Sequence, residues 1–326
     1  MSEPLVSILI NNYNYAEYVG AAIDSALAQD YPAVEVLVVD DGSTDDSRRV
    51  ISSYGDRIVP IFKQNGGQPS AFNAGVAASR GQILCFLDAD DSFSPDKVRC
   101  VVETFHNEGL NSRPLMVHHL LAMRSDTDSE LDGKPFGKTH QSPMNLQSFA
   151  HRHRFIWYEA GPTTAISLNR VLADRLFPIP EKGVRISGDD FIVSGAYLLG
   201  EVYSLADMLG SYRVHGNNQW FCSDRKKSPE FLSTLQRYLN EKLQKTGNPP
   251  LISFDDSIYA WAGLLADGRW LKLAWHMLRI SIRDHDRYTA EFVYHTTMTI
   301  GMMIMRTLRQ RRDLLIRRFG AGGPIL

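Results

Sequence analysis

Cysteine is scarce in this chain. Three occur among 326 residues (Cys85, Cys100 and Cys222), far apart and without a CxxC pair. This excludes a disulfide-framed scaffold and a thiolate zinc site, and predicts a reducing, cytosolic setting. Cys85 lies inside an apolar run and reads as core. Long apolar runs are missing too. None reaches about 18 residues, the length that spans a bilayer, and the nearest candidate, 296–305, is too short. The opening MSEPLVSILI has no basic leader and no long apolar segment, so no signal peptide is expected. Charge of one sign is also lacking. A formal net charge of -2 gives no electrostatic case for a nucleic-acid partner. Glycine-rich phosphate cradles are absent: no GxGxxG follows the first apolar run. The segment from Gly133 to Thr139 is one residue short of a P-loop and follows no strand. No internal repeat is present. The length suits one large domain with an appendage.

What is present is an alternation. Apolar runs at 5–10, 34–39, 58–62 and 83–87 read as strands, separated by helical patterns at 16–29, 43–54 and 70–79. In the first helix, Tyr18, Val19, Ala22, Ile23, Ala26 and Leu27 fall at helical spacing, and Ser43 or Thr44 reads as the cap of the second. Strands that are apolar throughout are covered on both faces, which marks a parallel sheet with crossover helices. The expected fold class is therefore α/β, an open, doubly wound, mostly parallel sheet. Such sheets bind ligands beyond the C-terminal ends of their strands. Polar clusters stand at those ends: Asn11-Asn12-Tyr13-Asn14, Asp40-Asp41-Gly42-Ser43-Thr44-Asp45, Gln64-Asn65-Gly66-Gly67 and Asp88-Ala89-Asp90-Asp91. Four polar clusters in register point to a site.

Further along, 95–108 reads as a helix and 115–124 as one or two strands. Residues 125–142 are polar and Gly/Pro/Lys-rich, and read as a mobile flap. Residues 163–168 read as a strand, 169–177 and 189–199 as helices, and 202–205 and 209–214 as two short strands.

Asp88, Asp90 and Asp91 directly follow an apolar strand. Packed like charges are costly unless a cation neutralises them. Carboxylates favour a hard ion, Mn²⁺ or Mg²⁺, which keeps open positions for substrate phosphates. An isolated acidic turn of this kind is also compatible with simple solvation. An EF-hand loop is excluded, because its glycine position is Phe93 and its glutamate position Arg99. The ligand is expected to carry phosphates held by metal rather than by a glycine cradle.

At these residues the chain resembles glycosyltransferase family 2, the inverting family with the GT-A fold. The resemblance rests on 6–14, on 38–45, on Asn73-Ala74-Gly75 before Gly81, and on Phe86-Leu87-Asp88-Ala89-Asp90-Asp91. Weaker matches are 161–170, Gly188-Asp189-Asp190 and Tyr212-Arg213-Val214-His215. It covers about residues 4–220 and implies a GT-A catalytic domain over 1–222 with a helical region over 223–326. It further implies sugar transfer from a nucleotide-diphosphate sugar, UDP-sugar favoured, to a carbohydrate or lipid-linked acceptor hydroxyl, in polysaccharide, lipopolysaccharide or other glycoconjugate assembly. Asn11, the Tyr13 region and Asp40 would hold base and ribose, with Asp41 the base contact. Asp90 would be the main metal ligand. Asp88 and Asp91 would contact ribose or metal, which of them doing which being open. Asp190, with Asp189 beside it, would be the general base on the acceptor side; the family's usual first member of that pair is Glu. His215 would lie near the diphosphate and ligate the metal, a structural histidine being the alternative. Gln68, Ser70 and Asn73 open a helix whose free amides favour anions and sugar hydroxyls, ordinary capping being the alternative.

From 228 onward the chain turns helical. Residues 228–245 are amphipathic, 258–282 form a helical pair, and 288–319 combine methionines with six arginines. A basic amphipathic helix suits either the inner face of an anionic membrane or a homodimer contact. Two other classes compete with the enzyme reading. A catalytically inactive nucleotide-sugar-binding homologue need not keep Asp88, Asp90, Asp91 and Asp190. A nucleotidyltransferase would carry glycine and lysine near its N-terminus, and 11–18 has neither.

Overall fold

The computed structural model describes residues 3–125, 128–154, 156, 161–215 and 229–253. The helical pair at 258–282 and the basic helix at 288–319 lie outside the described residues. The chain forms two compact units, one of residues 1–148 and 156–250 and one of 149–155 and 251–326. Everything that positions the site belongs to the first.

That unit is built on a 9-stranded sheet. Its strands are β1 (Val6–Asn12), β2 (Val34–Asp40), β3 (Val59–Phe62), β4 (Ile83–Asp88), β5 (Ser92–Phe93), β6 (Leu115–Ser125), β7 (Pro135–Phe136), β8 (Ile166–Asn169) and β9 (Glu201–Val214). The helices are α1 (Val19–Leu27), α2 (Ser47–Ser52), α3 (Gln68–Ala78), α4 (Lys97–Glu108), α5 (Gln147–His153), α6 (Arg170–Leu176), α7 (Gly188–Leu199) and α8 (Pro229–Lys245). The order β3-β2-β1-β4-β8-β6-β9-β5, with β7 against β6, reproduces the expected parallel half and adds a mixed one. β1 lies parallel between β2 and β4, and β3 joins β2 in parallel. β8 then enters antiparallel to both β4 and β6, while β9 runs parallel to β6.

Alternation along the central strands explains the double cover. Val6, Ile8 and Ile10 of β1, Val36 and Val38 of β2, and Ile83, Cys85 and Leu87 of β4 pack with Ile23 of α1, Ile51 of α2 and Phe105 of α4. Phe86, on the opposite face of β4, meets Phe72 of α3 at 5.3 Å. Each such fully buried side chain contributes about 1.5–3 kcal/mol. Two polar residues are built into this core. Asn169, fully buried, caps α6 by accepting from the Leu172 N–H at 3.0 Å, accepts from the Leu115 N–H at 2.9 Å, and donates to the Leu110 and Arg113 carbonyls. Lys97 is also fully buried, donates to Ser167 Oγ at 3.1 Å, and lies 4.0 Å above the Phe93 ring. Burial holds its amine below the ordinary lysine value.

Four sequence expectations are corrected. Neither Ser43 nor Thr44 caps α2; the helix starts at Ser47, whose N–H donates to Asp45 Oδ1 at 3.0 Å. The segment expected as a flap contains β7, with Leu121 opposite Phe136 and the Gly133 N–H on the Met123 carbonyl at 2.9 Å. Among its described residues it is thus tied to β6 by backbone bonds. Thr163–Ala165 form a 3₁₀ turn ahead of β8 rather than its first residues. The two short strands at 202–214 are one 14-residue strand, β9, paired to β6 with register shifts around Leu120. The shifts let one long strand serve both β6 and, through Ser211 and Gly210, the short β5 that follows the acidic turn.

Among the described residues no helix is long and apolar enough to cross a membrane.

Candidate active site

Parallel register aligns the ends of three strands. Asn12 of β1 stands opposite Asp40 of β2, and Asn11 opposite Asp88 of β4. Asn11 Nδ2 donates to Asp88 Oδ1 at 2.8 Å, across the boundary where the strand order turns from β1 to β4. The acidic turn beyond β4 is held from a second direction by the Thr163–Ala165 turn. The Thr164 hydroxyl donates to Asp91 Oδ2 at 2.5 Å and accepts from the Asp88 N–H at 3.2 Å. The Thr163 hydroxyl acts on the Asp88 carboxyl as well, holding its value down. A third direction is β9: pairing of Ser92 with Ser211 brings the Arg213 N–H to Asp91 Oδ1 at 2.9 Å.

The same pairing delivers His215. Its Nε2 lies 3.1 Å from Asp90 Oδ2. The imidazole is buried, stacks on Tyr18 at 4.9 Å, and meets the edge of Tyr15 at 5.8 Å. The Arg213 guanidinium covers the Tyr18 ring at 5.4 Å. Burial raises the Tyr15 and Tyr212 phenols well above their ordinary value, and the charges of all three aspartates add to it. The carboxylates respond in the same sense. Burial first, then the charge of Asp90, pushes Asp88 up to about 7, against the hydrogen bonds from Asn11 and Thr163. Asp91 is raised well above the ordinary carboxylate value by burial, Asp90 and Asp88, in that order. Acidic groups that resist ionisation because they are buried and crowd together form a site that a cation would stabilise.

Sequence reasoning missed Tyr15, Tyr18, Tyr212, Thr163 and Thr164 as parts of this arrangement. Tyr15 and Tyr18 were hidden as the lead-in and first turn of a helix. The Thr-Thr doublet just ahead of an apolar stretch was the available signal for the other strut.

The remaining expected residues separate into two groups. Asp40 accepts from Asn12 Nδ2 at 2.9 Å and from the Ser43 N–H at 3.2 Å. Asp41 accepts from Lys63 Nζ at 2.6 Å, from the Gly66 N–H on both oxygens, and from the Gly67 N–H at 2.6 Å. A carboxylate offers about four acceptor positions, so Asp41 is committed to its own loop; a base would have to displace one of these donors. Asn73, expected at the ligand, is turned away. Its Oδ1 accepts from the Ile179 N–H at 2.9 Å, and its Nδ2 donates to the Ile179 carbonyl and to Glu181. Ser70 is buried and bonds Glu181 as well. Gln68 bonds Thr163 and the Gly188 N–H. Tyr13 is 43% exposed, just past β1.

Asp189 and Asp190 occupy the first turn of α7, where carboxylates complement the helix dipole. Asp189 contributes to raising Asp88, so its charge is felt at the acidic turn. Sequence reasoning favours Asp190 as base, and it stands in the same first turn as Asp189.

For an ion, the donor set is Asp90 and His215, with Asp88 beside them. Among the described residues no three His, Cys, Asp or Glu side chains are gathered closely enough to form a cage by themselves. One carboxylate and one imidazole fit an ion whose remaining positions are filled by phosphate oxygens and water. They do not fit a closed structural site.

Comparison with known proteins gives the family and the fold. Residues 7–112 match the model of Glycosyl transferase family 2. The chain is 34% identical over 324 residues to an uncharacterized glycosyltransferase of Nostoc sp., covering 93% of this chain and 97% of the relative. An uncharacterized glycosyltransferase of Rickettsia prowazekii is 47% identical over 95 residues, 29% of this chain and 30% of that protein. Among solved structures, S. aureus TarS in complex with UDP-GlcNAc superposes with a TM-score of 0.55 at 18% identity, covering 87% of this chain and 93% of the other. That likeness identifies the GT-A fold.

Proposed function

Because the chain belongs to glycosyltransferase family 2, we propose that it moves a sugar with inversion from a nucleotide-diphosphate sugar, UDP-sugar favoured, to the hydroxyl of a carbohydrate or lipid-linked acceptor. The observation that carries the reading is the meeting of Asp90 and His215 at 3.1 Å beside Asp88, at the strand boundary of the sheet. Asp90 and His215 supply the protein ligands. The imidazole favours Mn²⁺ over Mg²⁺, whose ligands are oxygens. Asp90 and His215 would hold a divalent ion whose positive charge stabilises the departing diphosphate. Asn11 fixes the rotamer of Asp88 through its amide, and Thr164 with the Arg213 amide fixes Asp91. These two carboxylates therefore present constant geometry to ribose or to ion-bound water.

On the acceptor side, one carboxylate of the Asp189–Asp190 pair takes the hydroxyl proton while the oxygen attacks C1 opposite the leaving diphosphate. Attack from that face inverts the anomeric centre. The electrostatic link from Asp189 to Asp88 supports Asp189 as the member nearer the donor. Tyr13, exposed past β1, is the residue we assign to the base.

The test is a thermal-shift screen of UDP-, GDP- and dTDP-sugars with and without Mn²⁺, followed by assay of nucleotide release. One donor should stabilise the protein only with the ion present, and Asp90→Asn should erase that shift. Stabilisation that is independent of Mn²⁺ would defeat the assignment of Asp90 and His215.

A further inference from the structure

We propose that Gln68 is a positioning residue that suspends the acidic start of α7 from the donor-side carboxylates. The proposal rests on the transferase reading for its consequence, but the anchor itself is a property of the fold.

Four observations meet at this side chain. Its Oε1 accepts the Gly188 N–H, the first of α7, at 2.9 Å. Its Nε2 points to Thr163 Oγ1 at 3.5 Å, and that hydroxyl helps to hold the Asp88 value down. Its backbone N–H donates to the Arg185 carbonyl at 2.9 Å. Gly67, just before it, has φ +91 and is packed so closely that a Cβ would lie 2.7 Å from Arg185 Cα. The turn into α7 therefore rests directly on the turn into α3.

The start of α7 needs such support. The first N–H groups of a helix lack internal partners, and Ser187, in the cap position, has φ 61 and makes no side-chain capping bond. Gln68 supplies an acceptor from a different helix. Gly188 completes the fit, since a Cβ there would come 3.1 Å from the Phe72 ring of α3. A continuous path thus runs from Asp88 through Thr163 and Gln68 to the residue before Asp189. A neutral amide suits the role chemically. It accepts from an N–H at one end and donates to a hydroxyl at the other, and it adds no charge between Asp88 and Asp189. Glutamate would keep the first bond and lose the second, with a further negative charge.

The consequence is geometric. A displacement of about 1 Å at a catalytic group costs about 100-fold in rate. Gln68→Met keeps length and volume but makes neither bond. In hydrogen exchange, its 188–193 segment should exchange about tenfold faster, with β1 and β4 unchanged. Binding of UDP with Mn²⁺ should stay within about twofold, while kcat for UDP release from UDP-GlcNAc, water serving as acceptor, falls about 10–100-fold at unchanged KM. Gln68→Glu should restore slow exchange at 188–193. Unchanged exchange in Gln68→Met overturns the anchor, as does acceleration spread over the whole domain. Parallel loss of UDP–Mn²⁺ affinity would instead make Gln68 a donor contact. A wild-type protein that binds UDP with Mn²⁺ yet releases none from any donor sinks the transferase reading, and the exchange experiment still decides the anchor.

Discussion

Thr164→Val isolates the hydroxyl that ties the acidic turn to the sheet. Valine preserves the shape and removes one oxygen. The site is fully buried, so water cannot replace what is lost. Two groups are stranded: Asp91 Oδ2, which received the hydroxyl at 2.5 Å, and the Asp88 N–H, which donated to it at 3.2 Å. A buried hydrogen bond contributes about 0.5–1.5 kcal/mol, rising to about 1.5–3 where the carboxyl is ionised, and an unsatisfied buried N–H costs about 1–3. The loss at neutral pH should be about 3–5 kcal/mol, or roughly 6–20 °C in Tm for a domain of this size. The pH dependence gives the sharper test. Asp91 has a raised value in the fold against 3.8 in the unfolded chain, so the native state holds the extra proton through the window above 3.8. Stability therefore falls as pH rises through that window. The Thr164 bond lowers the folded value and so limits the fall; removing it deepens the fall. Urea denaturation followed by far-UV circular dichroism, with EDTA present, should show a gap between wild type and variant that widens, and never narrows, as pH rises above 3.8. A gap below about 1 kcal/mol at pH 8, or one that narrows with rising pH, would refute the strut.

The same linkage predicts that Mn²⁺ raises Tm more at pH 8 than at pH 6, because Asp88, pushed up to about 7, must lose its proton before the ion gains full attraction; a shift independent of pH would contradict it. Asn169→Ala removes the α6 cap together with three backbone bonds and should cost about 3–5 kcal/mol in chemical denaturation, against less than about 1 for a solvent-exposed cap. Lys97→Met should be at least as stable as wild type at pH 7. Burial lowers the Lys97 value in the fold, so the unfolded chain binds the extra proton and wild type loses stability as pH falls below the ordinary lysine range. The advantage of Met in Tm should shrink between pH 7 and pH 9.5, and a growing advantage would reverse the argument.

The parallel half of the sheet was legible because its strands are apolar on both faces and its turns are polar. Period and punctuation agree there, and β1, β2 and β4 fall within two residues of the expected bounds. The antiparallel insertion of β8 was not legible, since a four-residue strand carries no mark of its direction. β9 was read as two pieces because Ala206, Asp207 and Met208 interrupt its apolar pattern; they are exposed where the strand bends. The site shows the same division. Asp88 and Asp90 were singled out by the density of carboxylates after an apolar strand and His215 through the family resemblance, and the structure brings His215 to Asp90. Gln68 and Asn73 were read alike, as helix-start amides, yet one faces α7 and the other the 179–181 loop. Which way a side chain turns from a shared helix depends on what packs against each face. That information is tertiary.

Two aspartate-rich turns follow the two strands that flank β1, and in sequence they look interchangeable. The structure gives them different partners. The turn after β2 is satisfied from within: Lys63 and the Gly66 and Gly67 amides neutralise and saturate Asp41. A charge so paired stabilises the loop and has little left to offer a ligand. The turn after β4 is served by neutral donors, Asn11, Thr163, Thr164 and the Arg213 amide, and by the imidazole of His215. Neutral donors orient carboxylates without cancelling their charge, and burial, with the charge of Asp90, keeps Asp88 and Asp91 hard to ionise in this fold. A donor diphosphate approaching such a turn adds more negative charge to it. A divalent cation entering with the diphosphate would offset that charge, which is the role proposed for an ion at Asp90 and His215.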